Sequence, residues 1–175
     1  MMRRTGHRAV RDASWAGCRV AVATVSDSCA AGSKKDASGP LLKRLLESLG
    51  ADVVSCEIVA DDLPKIAGLL KGYADALKAD VVLTTGGTGL GPRDVTPEAT
   101  RSVLDREAPG LAEWIRARGA EKTLRAVLSR GVCGLRGRTL IINLPGSPKG
   151  AAESFEAVAG LVPHALAMAR GEGHA

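Results

Sequence analysis

Aromatic side chains are nearly missing from this 175-residue chain, where Trp15, Tyr73, Trp114 and Phe155 amount to 2%. So few rings leave no row of stacking surfaces for the successive bases of a single strand. Long apolar runs are missing too, since none approaches the roughly 20 residues that a membrane-spanning helix requires. Arg3-Arg4 resembles a twin-arginine start, but Thr5, Gly6, His7 and Arg8 follow where an apolar segment would be needed. Neither nucleic acid nor a membrane is therefore an expected partner, and the expected location is the cytoplasm. The four cysteines, Cys18, Cys29, Cys56 and Cys133, contain no C-x-x-C pair and read as reduced thiols. His7, His164 and His174 fall in two tails and one apolar helix, which supports neither a zinc cluster nor a Cys-His dyad. Neither G-x-G-x-x-G nor G-x-x-x-x-G-K-[ST] occurs, so a generic dehydrogenase or P-loop nucleotidase is disfavoured.

What remains has ordinary globular proportions, 45% hydrophobic and 25% charged, at a length that suits one domain. The net charge of +5 is concentrated at the start, where Arg3, Arg4, Arg8 and Arg11 face only Asp12. Residues 1–17 read as a disordered basic extension, 18–170 as the domain and 171–175 as a flexible tail.

Within the domain, β-branched apolar runs alternate with amphipathic stretches. RVAVATV (19–25), DVVSCEIV (52–59), DVVLTT (80–85) and RTLIINL (138–144) read as strands covered on both faces. A helix from Pro40 carries Leu41, Leu42, Leu45, Leu46 and Leu49 on one face and stops at Gly50; another runs from Pro64 to about Lys78. Helical pattern with breaks covers Thr96 to about Arg130, with Thr96 as N-cap and Pro97 at the first position. The last helix carries Phe155, Val158, Leu161, Val162 and Leu166, with Pro163 expected to bend or interrupt it. The expected fold is α/β: a three-layer sandwich, a mostly parallel sheet with helices on both faces.

In such sheets ligands bind beyond the carboxyl ends of the strands. This chain places Ser26-Asp27, Asp61-Asp62, Gly86 to Asp94 and Pro145 to Gly150 there. Two glycine-rich turns suit phosphate, because glycine permits close approach and turns N–H groups toward an anion. Carboxylates beside a phosphate would repel it unless a Mg²⁺ sits between, an ion that takes one or two carboxylates plus phosphate oxygens and water. The residues alone leave open whether Asp61 or Asp62 reaches the site, the other capping a helix. They also leave open whether Arg93 meets a phosphate or pairs with Asp94, and whether Lys149 is a ligand or a solvated loop lysine.

The segments VATVSD (22–27), VADD (59–62), LTTGGTG (83–89), PRDVTPEAT (92–100), LSR (128–130) and LIINLPGSPKG (140–150) resemble the MogA/MoaB family. That family comprises molybdopterin adenylyltransferases and the G domains of gephyrin and the plant Cnx1 protein. The resemblance implies molybdenum cofactor biosynthesis: transfer of AMP from Mg-ATP to the terminal phosphate of molybdopterin, releasing pyrophosphate, with a molybdenum-insertion enzyme downstream. A homotrimer is implied as well. Matched residue by residue, Asp61 and Asp94 become the catalytic, Mg²⁺-binding pair. Asp27, Gly86, Gly87, Thr88, Gly89, Arg93, Ser129, Pro145, Gly146, Ser147 and Lys149 become substrate-binding residues, with ATP as co-substrate. Ala60 stands where the family has proline, and residues 1–17 have no counterpart. The alternative is a non-catalytic molybdopterin-binding or scaffolding paralogue. A phosphomonoester nucleophile is mostly dianionic at neutral pH, so such chemistry needs no general base.

Overall fold

A computed structural model describes residues 14–172. Six strands, β1 (Arg19–Val25), β2 (Asp52–Val59), β3 (Val81–Thr85), β4 (Arg106–Glu107), β5 (Cys133–Arg136) and β6 (Thr139–Leu144), form one sheet in the order β2-β1-β3-β6-β5-β4. β2, β1, β3 and β6 run parallel; β5 returns antiparallel to β6, and β4 antiparallel to β5. The helices are α1 (Asp27–Ala30), α2 (Ser38–Ser48), α3 (Leu63–Lys71), α4 (Thr96–Arg101), α5 (Pro109–Ala120), α6 (Pro148–Ala159) and α7 (Val162–Ala169).

The period of two in the central strands divides the core into two layers. Val20, Val22, Val81, Leu83, Leu140, Ile142 and Leu144 face one side, against Leu42 and Leu46 of α2, Phe155 and Val158 of α6, Ile115 of α5 and Leu166 of α7. Ala21, Ala23, Val25, Val82 and Ile141 face the other, against Ile66 and Leu70 of α3, Ala99 of α4 and Tyr73. Because both faces are covered, β3 and β6 are buried along their whole length, which is why they read as unbroken apolar runs. Each fully buried Leu, Ile or Phe stabilises the fold by about 1.5–3 kcal/mol relative to exposure.

Three expectations need correction. Trp15, assigned to the basic extension, is 6% exposed; its ring meets Phe155 edge-on at 5.5 Å and its Nε1–H donates to Ala159 O at 3.0 Å. The domain thus begins before residue 18, while residues 1–13 and 173–175 lie outside the described part. The stretch expected to be broken helix from Thr96 to Arg130 also contains β4 and ends in a 3₁₀ turn, Leu124–Leu128; β5 follows it. Strands this short have no local periodicity and exist through their pairing, β5 with β6 and β4 with β5. The last helix is interrupted near Pro163, as expected: the chain breaks at Gly160–Leu161, and Pro163 sits in the first turn of α7, where its missing N–H costs nothing. Finally, α3 ends at Lys71, and Gly72–Ala76 widens into a π turn that buries Tyr73. No helix among the described residues is long and apolar enough to cross a membrane.

Candidate active site

Parallel strands end together, so the loops after β1, β2, β3 and β6 converge at one end of the sheet. Backbone hydrogen bonds fasten them: Ser26 N–H to Val59 O at 2.9 Å, and Gly86 N–H to Leu144 O at 3.1 Å. Thr85 Oγ1 adds a bond to Pro145 O at 2.6 Å. The turn after β3 passes so close to its neighbours that only glycine fits. Gly86 has φ +104°, and a Cβ there would lie 2.2 Å from Val25 O. Gly87 has φ +64°, and a Cβ would lie 2.2 Å from Thr96 Oγ1 and 3.0 Å from Asp61 Oδ1. Thr96 is not the cap of α4 but its first residue, Val95 being the cap. Its hydroxyl instead reaches back to Gly86 O at 2.9 Å in a fully buried bond.

Of the two acidic residues after β2, Asp62 caps α3, accepting from Lys65 N–H at 3.0 Å. Asp61 turns inward. Its Oδ2 accepts from Asp27 N–H at 2.8 Å, and its own N–H donates to Asp27 Oδ1 at 3.0 Å. Burial, together with the negative charges of Asp27 and Asp94, holds the Asp61 carboxyl above the ordinary carboxylate range, against the Asp27 hydrogen bond and Arg93, which lower it. Asp94 closes its own turn: Oδ2 accepts from Gly91 N–H at 2.8 Å, and Asp94 N–H returns to Gly91 O at 3.0 Å. Arg93 meets Asp27, not Asp94, through a two-pronged pair with Nε and Nη2 each 3.0 Å from an Asp27 oxygen. That hydrogen bonding holds the Asp27 carboxyl below the ordinary carboxylate range.

Asp61, Asp94, Gly86, Gly87, Gly146 and Ser147 line one hollow of about 420 Å³. A second, of about 430 Å³, lies beside it and takes in Thr88, Gly89, Ser129, Pro145 and Ser147. Ser147 belongs to both, and as N-cap of the twelve-residue α6 it sits where the positive end of the helix dipole emerges. Asp27, Arg93 and Lys149 line neither: the first two form the rim behind Asp61, and Lys149 is exposed in the first turn of α6. A larger hollow, about 780 Å³, lies between β2 and α3 and takes in none of the glycine turns; the convergence of carboxylates and glycines argues for the smaller pair.

Residues not singled out from the sequence also line the acidic hollow. Lys34 and Lys35 supply cations at its edge, and Asp36 orders that loop by accepting from Thr24 Oγ1 at 2.7 Å and from the N–H groups of Ser38 and Gly39 at 3.1 Å. The signal available was Asp36 two residues before Ser38, the arrangement of a side chain that receives the first amides of a helix. Among the described residues no group of three or more His, Cys, Asp and Glu side chains could hold a metal ion by itself.

A structure of the molybdopterin biosynthesis enzyme MoaB from Thermus thermophilus is similar to this chain at 52% identity and a TM-score of 0.83, covering 87% of this chain and 96% of that one. A molybdopterin adenylyltransferase of Helicobacter pylori (strain J99) is 38% identical over 154 residues, which is 87% of this chain and 88% of that protein. The Drosophila melanogaster molybdenum cofactor synthesis protein cinnamon is 46% identical over 146 residues, which is 83% of this chain but 24% of that longer protein. The chain thus spans a quarter to a half of the longer curated relatives it matches. The family model described as "probable molybdopterin binding domain" matches residues 21–164, and the chain belongs to that family.

Proposed function

We propose that this domain transfers AMP from ATP to the terminal phosphate of molybdopterin, as a nucleotidyltransferase of molybdenum cofactor biosynthesis. The observation that carries the proposal is the pair Asp61 and Asp94, delivered by separate crossovers to one glycine-lined hollow. The names of the relatives supply the pterin and the adenylyl group.

The residues fit a Mg²⁺ ion. Asp61 is a partly desolvated carboxylate facing like charges, the situation a divalent cation relieves. Two carboxylates without a third ligand match an ion that completes its shell with phosphate oxygens and water. When bound, Mg²⁺ would neutralise phosphate charge and polarise the α-phosphoryl group toward attack. The chain's own part is positioning. Gly86 and Gly87 let the backbone approach the polyphosphate without a side chain between them. Lys34 and Lys35 reduce the repulsion between two polyanions, and the N-terminus of α6 offers its dipole to the phosphate that bridges the hollows. Thr88, Gly89, Ser129 and Pro145 line the adjoining hollow, which we assign to the pterin. Arg93 acts indirectly, fixing Asp27, whose backbone holds Asp61; Lys149 meets phosphate only if its exposed side chain swings toward Ser147.

We extend the proposal to a homotrimer supplying a molybdenum-insertion enzyme in the cytoplasm. The family resemblance suggests it. Leu90, Leu124, Val127 and Leu128, each more than half exposed, offer apolar surface for a second copy, and four free cysteines suit a reducing compartment. The test is incubation with molybdopterin and Mg-ATP labelled at the α-phosphate. Label should appear on the pterin and fall at least about 100-fold in Asp94→Asn. Pterin bound by folded protein without transfer of label would instead establish a non-catalytic binding module.

A further inference from the structure

Arg130 stands outside both hollows of the proposed site, yet its side-chain donors go to the turn that carries Asp94 and to the helix that follows it. Its Nε donates to Gly89 O at 2.7 Å, its Nη2 to Asp94 O at 2.6 Å and its Nη1 to the Glu98 carboxylate. Its backbone N–H donates to Thr88 O at 2.9 Å. One side chain therefore spans the turn from Gly89 to Asp94 and ties it to the first turn of α4. The bond from Arg130 at residue 94 falls on the carbonyl and not on the carboxylate, whose Oδ2 accepts from Gly91 N–H. We propose that Arg130 is the positioning residue of the adenylyl-transfer site, holding the turn in the one shape that presents Asp94; this rests on the reading of Asp94 as a site carboxylate.

Three features support the assignment. The three acceptors diverge, two carbonyls and one carboxylate, and a planar guanidinium with fixed N–H directions serves all three at once where an ammonium cannot. The other oxygen of Glu98, Oε2, is buried without a hydrogen-bond partner among the described residues, so the side-chain hydrogen bond that the Glu98 carboxylate receives there is the one from Arg130. Burial pushes the Glu98 carboxyl up, but the hydrogen bonds from Arg130 and from Glu98's own backbone N–H, with the charges of Arg130 and Arg101, together outweigh it and leave the group below the ordinary carboxylate range. Without the side-chain strap, the stretch from Gly89 to Asp94 keeps the short bonds within itself, Gly91 N–H to Asp94 Oδ2 and Asp94 N–H to Gly91 O, while its flanks remain held by Arg130 N–H to Thr88 O, Thr96 N–H to Gly87 O and Thr96 Oγ1 to Gly86 O.

The test compares Arg130→Lys and Glu98→Gln with the unchanged full-length protein. Amide hydrogen exchange at Gly91, Asp94 and Thr96 should accelerate at least about tenfold in both variants while the amides of β3 keep their protection. In Arg130→Lys, kcat for AMP transfer should fall about 100-fold with KM for ATP changing less than about threefold. In the double variant Asp94→Asn/Arg130→Lys, kcat should match that of Asp94→Asn alone within about twofold, because residues that act through one another are not additive. Unchanged exchange in the turn, full activity of Arg130→Lys, or multiplicative loss in the double variant would each overturn the proposal. Should Asp94→Asn itself retain activity while exchange in the turn still accelerates, the strap stands and the role of Asp94 falls. Global loss of protection, β3 included, would show Arg130 to be a general stabiliser and also overturn it.

Discussion

Replacing Gly87 by alanine puts one methyl group into the tightest part of the site, and its cost can be worked from the surroundings. At φ +64° an L side chain strains the backbone by about 1–2 kcal/mol. The new Cβ would also stand 2.2 Å from Thr96 Oγ1, a fully buried hydroxyl already donating to Gly86 O. Relieving that contact breaks the bond and leaves buried polar groups unpaired, at about 1–3 kcal/mol. The expected loss is about 2–5 kcal/mol, a large fraction of the 5–15 kcal/mol typical of a domain. Gly68→Ala is the control: the glycine is exposed within α3, nothing lies within 4 Å of a Cβ there, and alanine should stabilise the helix by about 0.5–1 kcal/mol. Urea unfolding followed by far-ultraviolet circular dichroism reads both, because a midpoint that moves at constant slope reports stability. Opposite shifts are expected from the same chemical change. A Gly87→Ala midpoint equal to that of the parent protein would refute the packing argument for the turn, and with it the claim that glycine is required beside Asp61.

Asp61→Asn keeps an oxygen to accept from Asp27 N–H while removing a charge whose carboxyl is held above the ordinary range. An elevated carboxyl penalises the folded state when ionised, so at neutral pH the variant should melt at or above the parent temperature, the difference shrinking as pH falls through the folded value. AMP transfer should meanwhile drop at least about 100-fold; a variant that melts lower and stays active would contradict both. Asp27 behaves oppositely, since Arg93 holds it below the ordinary range: its contribution is present above that range and disappears as pH falls through the folded value. Melting curves of Asp27→Asn and the parent should therefore converge in acid, and do so faster in high salt, because the pair is exposed. Trp15→Ala should cost about 3–5 kcal/mol by urea unfolding, as expected for a large buried ring; a negligible change would return residue 15 to the extension.

The four parallel strands and the order of the loops at their ends were legible because burial on both faces writes a continuous apolar run, and because glycine, proline and aspartate punctuate where such runs stop. β5 was not, since Cys133-Gly134-Leu135-Arg136 is too short and too mixed to show a period; its partner β6 makes it a strand. Trp15 was hidden by its neighbours, a lone ring at the end of an arginine-rich stretch, and only the distant Phe155 and Ala159 reveal it as core. In the site, the glycine turns and the pair Asp61-Asp62 could be placed from punctuation, but which of the two caps α3 and which turns inward shows only in the fold. The partner of Arg93 could not, because Asp27 is 66 residues away and adjacency in sequence suggested Asp94. Lys34 and Lys35 went unnoticed for a similar reason: a lysine pair in a polar loop has no pattern of its own, and the folding of that loop onto Asp36 brings it to the hollow.

The shared wall at Ser147 has a kinetic corollary. Two reactants lodged on either side of a single residue can both be seated before any bond is made, so the donor passes its group straight to the acceptor and no enzyme side chain need carry it in between. Initial rates measured at several fixed concentrations of one reactant should then give double-reciprocal lines that intersect, whereas parallel lines would mean that the group rests on the protein between two separate visits.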